Sequence, residues 1–167
     1  MPARTLATLA ATSVVAATVL VGAPAAEAKP VSLKSRYTCA TAVGEQTLPV
    51  TIKLDLPTKV KKGKKVADSK AKMVVVVPES LVTPLRDILG VSALSGTATA
   101  IKYSVGSKKV PLAKVKVPRT AVPDSGSMTL RGSGVAKGFT LKKPGTYTVR
   151  IPKSFTFNPK NQDGDAL

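Results

Sequence analysis

Leu48-Pro49-Val50-Thr51-Ile52-Lys53-Leu54-Asp55-Leu56 sets the fold class of the chain. Five aliphatic residues, Leu48, Val50, Ile52, Leu54 and Leu56, alternate with Pro49, Thr51, Lys53 and Asp55. Successive side chains of a strand point to opposite faces, so a period of two predicts one oily face inside and one wet face outside. Pro49 has no N–H to give to a ladder, which predicts that the strand begins at a sheet edge. On the N-terminal side, Val31 to Thr41 reads as another strand, with Tyr37 and Cys39 on one face. On the C-terminal side Pro57-Thr58 stops the strand. A basic loop follows, Lys59-Val60-Lys61-Lys62-Gly63-Lys64-Lys65, with Gly63 at its turn.

Further along, Met73 to Val77 is apolar at every position. Such a run belongs in the middle of a sheet, covered on both sides, and Lys70, Lys72 and Pro78 flank it as guards against aggregation. One short helix is predicted, capped by Thr83, with Pro84 at its first position and Gly90 at its stop. Leu81, Leu85, Ile88 and Leu89 share one face of it. Thr97 to Val105 alternates and turns at Gly106-Ser107 into Ala113, Val115 and Val117, with Lys114 and Lys116 facing water. Shorter strands follow at Met128-Leu130, at Phe139-Leu141, and from Tyr147 through Val149 and Ile151 to Phe155 and Phe157. Turn residues between short alternating runs predict an all-β sandwich of about eight or nine strands with one short helix, over residues 29–157. Asn158 to Leu167 reads as a flexible tail.

Residues 1–28 read as a signal peptide. Arg4 supplies a positive start, Leu6 to Val21 an apolar stretch, and Ala26-Glu27-Ala28 the small residues a signal peptidase reads, with Ala23-Pro24-Ala25 as a second possible site. Export is therefore expected, to the cell envelope or beyond it, with membrane contact only through the leader before it is cut. Net charge is +17, from 26 Lys and Arg against 9 Asp and Glu, and a cut after Ala28 leaves that net charge unchanged. A charge of this size draws a protein to polyanions; outside a cell these include anionic wall polymers. Lysines outnumber arginines 20 to 6, which favours diffuse attraction over a shaped, bidentate phosphate site. Lys59, Lys61, Lys62, Lys64 and Lys65 are the candidate polyanion-binding residues. The competing expectation is a structural module that binds a protein partner and whose basicity is incidental.

The same residues exclude much chemistry. With no histidine in the chain, Ser-His-Asp and Cys-His mechanisms and histidine metal sites are removed together. Ser69-Lys70-Ala71-Lys72 has serine–lysine spacing but precedes a strand instead of opening a helix. Asp163-Gly164-Asp165 echoes the start of a calcium loop and lacks the downstream bidentate Glu. Six aromatics, mostly at core-like positions, are too few for a base-stacking face. No enzyme activity, cofactor, metal or specific nucleic acid is expected. Cys39, the one cysteine, has no partner for an intrachain disulfide and is expected to be buried, or else to pair with another chain.

Lys143-Pro144-Gly145-Thr146-Tyr147-Thr148-Val149 resembles the turn and strand before the closing edge of immunoglobulin-like sandwiches, where a tyrosine pins the corner. Tyr37-Thr38-Cys39, Leu48 to Ile52, the turn at Gly63, and Leu85 to Gly90 followed by Gly96 together resemble an uncharacterised family of secreted actinobacterial domains. That resemblance implies an immunoglobulin-like sandwich and an extracellular location. It implies no activity, because the family has none assigned.

Overall fold

A computed structural model describes residues 7–11, 17–21, 28–41, 43–57 and 60–167. The alternating stretch that opens the sequence argument lies in β4 (Gly44–Pro57), which forms one long hairpin with β3 (Ala28–Thr41) in unbroken register from Ala28 opposite Pro57 to Thr41 opposite Gly44. Leu48, Val50, Ile52, Leu54 and Leu56 are all buried, and Lys53 and Asp55 are exposed. β4 is not an edge strand: β6 (Ser69–Val77) pairs along its other side from Val50 to Leu54. Pro49 stands one residue before that second ladder begins, so its missing N–H is tolerated inside a central strand.

β6 itself is central, between β4 and β11 (Met128–Ala136). Ala71, Met73, Val75 and Val77 are buried, while Val74 and Val76 on the outer face are half-covered. The sheet continues through β10 (Val115–Ala121), β7 (Ala93–Thr99) and β14 (Ser154–Lys160), and β1 (Ala7–Ala11) closes it between β14 and β3. The result is an eight-stranded antiparallel barrel. Its curl has local causes. A register shift interrupts β10 between Val117 and Thr120, across Pro118. Gly132 lets β10 cross close over β11, where a Cβ would meet the Val115 side chain at 2.6 Å.

One end of the barrel is covered by a smaller sheet, β2 (Ala17–Val21), β13 (Gly145–Arg150), β8 (Lys102–Val105) and β9 (Lys108–Pro111), and by the two-residue strands β5 (Lys65–Val66) and β12 (Phe139–Thr140). The expected single strand over Thr97–Val105 is in fact two. Ala100 takes a left-handed φ of 57° and sends β7 and β8 into different sheets. Breaks of this kind raise the strand count above the predicted eight or nine. Asp68 ties this end down: its carboxylate accepts from Lys137 Nζ and from the Gly138 amide, both at 2.8 Å. Those contacts, the Lys137 hydrogen bond first, hold its pKa below the usual carboxylate value. A lowered folded-state value contributes stability above the unfolded value, about pH 4, and loses it as pH falls further. Asp68→Asn is therefore expected to flatten the loss of stability between pH 4 and 2, followed by urea midpoints.

The other end carries α1 (Glu79–Asp87), which starts four residues before the predicted cap. The Pro78 carbonyl accepts from the Leu81 and Val82 amides, at 2.9 and 3.0 Å, so the helix begins there and Pro84 falls inside it. Residues 158–167, read as a flexible tail, hold defined positions. Asn158 to Lys160 extend β14 beside β7. The Asn161 side chain then accepts from the amides of Asp163 and Asp165, at 3.0 and 2.8 Å. That turn uses up the local geometry that resembled a calcium loop.

Candidate functional site

Two surfaces of the barrel are built differently, and each follows from strand register. The first is outside. On the solvent face of the wall, Ser32, Lys53, Lys72, Ser133, Lys116, Thr97 and Asn158 lie in one row across seven strands, each directly opposite the next. Lys53, Lys72 and Lys116 are exposed, and no apolar residue interrupts the row. Lys53 faces Lys72 on the adjacent strand, at a Cβ separation of about 5 Å. One step toward α1, a parallel row runs Lys34, Thr51, Val74, Arg131.

Of the five loop lysines singled out by sequence, Lys61, Lys62, Lys64 and Lys65 are exposed; Lys59 lies outside the described residues. The loop is not free. Gly63, at φ 72°, donates its amide to the Leu141 carbonyl at 2.9 Å, which brings the turn beside Lys142 and Lys143. The loop thus forms a cluster at the barrel end away from α1, and it is separate from the wall row. Lys53, Lys72 and Lys116 were missed as a set because they belong to three strands whose pairing no local pattern encodes.

Charge divides along the barrel axis. Glu45, Glu79, Asp87, Asp124, Asp163 and Asp165 all belong to the α1 end, together with Arg86, Arg119 and Lys160. Arg86 is occupied: it forms an ion pair with Asp87 at 2.6 Å and donates to the carbonyls of Pro123 and Asp124. The Asp87 hydrogen bond holds the Arg86 pKa up and the Asp87 pKa down. Lysines populate the wall and the far end.

The second surface is inside. At the α1 end a cavity of about 430 Å³ remains within the barrel, between β3, β6, β11, β14 and the helix. Met73, Val75, Leu130, Leu81 and Phe155 line it, with Cys39 and Thr41 supplying its polar side-chain groups. Both groups are already committed. Thr41 Oγ1 donates to the Gly44 carbonyl at 2.7 Å, and the Cys39 thiol contacts the Ala40 carbonyl at 3.9 Å. Burial raises the thiol pKa, which lowers the thiolate fraction and slows the reactions of the sulfur.

Among the described residues no group of His, Cys, Asp or Glu could hold a metal ion, and no helix is long and apolar enough to cross a membrane. Comparison with curated proteins and with solved structures gives no match. A family model described as a family of unknown function, DUF6801, matches residues 36–166.

Proposed function

We propose that this chain, which belongs to the DUF6801 family of unknown function, is an exported, non-enzymatic domain that adheres to anionic polymers through its lysine wall. The observation that carries the reading is Lys53 directly opposite Lys72, with Lys116 in the same row. Like charges opposed on neighbouring strands cost roughly 0.2–1 kcal/mol. A barrel selected for stability alone has no use for that arrangement, whereas a polymer with regularly spaced negative charge relieves the repulsion on binding. Export is supported by the charged start, apolar stretch and small-residue site within residues 1–28, and anionic wall polymers are the polyanions met there. The Tyr147 hydroxyl donates to the Lys143 carbonyl at 2.8 Å, the local bond of a tyrosine corner, but on the sheet that covers the barrel end, so the immunoglobulin-like likeness is local to that turn.

Sedimentation of the protein with purified cell walls across a salt series tests the proposal. Binding is expected at low salt and should fall steeply as ionic strength rises, because exposed charges are screened within about 10 Å at 0.1 M. Binding that ignores salt, or is absent at low salt, sinks it. The second reading, a protein-interaction module, is favoured by Ile88 and Leu89, which stand exposed at the opposite end from the loop lysines. Unchanged localisation after the lysines are neutralised would select it.

A further inference from the structure

The cavity lies at the end of the barrel away from the basic loop and beyond the lysine row, so the polyanion reading leaves it without a role. Among the described residues its side-chain lining is apolar apart from one thiol and one hydroxyl, each with a backbone partner. Apolar cavities of this kind stay dry and accept apolar guests, and about 430 Å³ falls within the usual range for small-molecule sites, roughly 300–1,000 Å³. Of the large apolar lining residues two stand exposed: Leu89, after the C-terminal end of α1, at 44%, and Leu167 at 38%. They mark the mouth. Ile88, beside Leu89, is 73% exposed and extends the apolar lip outward.

The rim decides the headgroup. Asp87 closes the end of α1, Asp163 and Asp165 flank the C-terminal turn, and Glu45, Glu79 and Asp124 occupy the other segments of the same end. Arg86 is held by Asp87 and two carbonyls, and Arg119 donates to the Gln162 carbonyl at 2.9 Å. Among the described residues Lys160 is the remaining cation of this end, exposed beside the C-terminal turn; three cations against six carboxylates leave the rim net acidic, so a carboxylate or phosphate headgroup would meet a surplus of like charge. We infer that the cavity binds the aliphatic chain of an amphiphile whose headgroup is neutral or cationic, entering between Leu89 and Leu167.

The test uses the purified chain with residues 1–28 retained, because β1 closes the barrel wall beside Cys39 and Phe155, and a neutral fluorescent probe, 1-aminoanthracene. Displacement is measured with 1-tetradecanol, tetradecyltrimethylammonium and myristate, each below its micelle concentration. The alcohol and the ammonium are expected to displace the probe, and myristate about tenfold more weakly because its charge meets the acidic rim. Equal displacement by myristate overturns the headgroup assignment, and no displacement by any of them overturns the site. Val75→Phe should fill the cavity and abolish probe binding; retained binding in a folded variant places the ligand elsewhere. If that variant fails to fold, the wild-type chain still decides. Cys39 lines the cavity, so tetradecanol should slow its reaction with a thiol reagent, and an unchanged rate overturns the inference.

Discussion

Exchange of Lys53, Lys72 and Lys116 for Gln is expected to weaken binding to an anionic polymer by about a hundredfold at low salt while leaving the fold as stable as before or slightly more so. Each lysine near an anionic surface contributes about 1 kcal/mol, and three of them account for roughly two decades in affinity. The stability change has the opposite sign, because removing Lys72 removes the repulsion from Lys53 across the ladder. The signature sharpens with Lys72→Glu. It places a carboxylate opposite Lys53, and should raise the urea midpoint while lowering polymer affinity more than Lys72→Gln does. Exchange of Lys61, Lys62, Lys64 and Lys65 should cost less affinity although it removes more charge, since a loop must be ordered on the polymer and the strand row is already fixed. Titration of the variants against a polyphosphate or heparin column, with urea melts alongside, measures both signs. Equal losses for the loop and the wall would return the site to the loop.

The second large effect is on stability. Tyr37 is fully buried, its ring meets Phe155 edge-on at 5.0 Å, and its hydroxyl donates to the Pro152 carbonyl at 2.7 Å. One side chain thereby joins β3 to the link between β13 and β14, 115 residues away in sequence. Tyr37→Ala should cost about 3–5 kcal/mol from lost burial and the cavity left behind. Tyr37→Phe keeps the packing but orphans a buried carbonyl, for about 1–3 kcal/mol. Urea unfolding gives both values, and a Phe variant as stable as the parent refutes the role given to the hydroxyl. The same burial pushes the Tyr37 phenol well above its usual range, and Tyr103 up to about 12, again chiefly by burial. A folded-state pKa above the unfolded one leaves stability intact below about pH 10 and removes it as pH climbs through the folded values. Alkaline unfolding is therefore expected above pH 10. It should be followed by the urea midpoint and be shallower in Tyr103→Phe.

How much of this was legible in the sequence depended on how local the signal was. The buried face of β4, the central place of β6 and the turn at Gly106 follow from patterns within ten residues of one another, but the strand returning from that turn is β9 (Lys108–Pro111), not the expected Ala113–Val117, which belongs to the barrel in β10. The hydrogen bond at Tyr147 has its partner four residues away, and it too could be read from a short motif. The wall row could not. Alternation says that Lys53, Lys72 and Lys116 face water, but only register sets them side by side, and register is fixed by the fit of whole strands. The loop lysines drew attention because they are adjacent in sequence, which is a weaker kind of proximity. Alternation also ran through Ala100 without a break, because a left-handed alanine leaves no compositional trace. The cavity was invisible for a further reason: it is the volume left when barrel closure and α1 leave the interior underfilled, and no residue type announces empty space.

Closure of the barrel depends on β1, which bridges Tyr37–Cys39 on one flank and Ser154–Phe157 on the other, yet Ala7–Ala11 falls inside the stretch proposed to be removed. A cut after Ala28 would take out one stave of a finished cask. The amides and carbonyls along both newly bared rims would then need new partners, and an edge strand with open hydrogen-bonding capacity recruits them from whatever chain is nearest. Processing would thus be a change of shape as well as of length, turning a closed wall into one with a seam, beside Cys39 and Phe155 and leading straight to the oily interior.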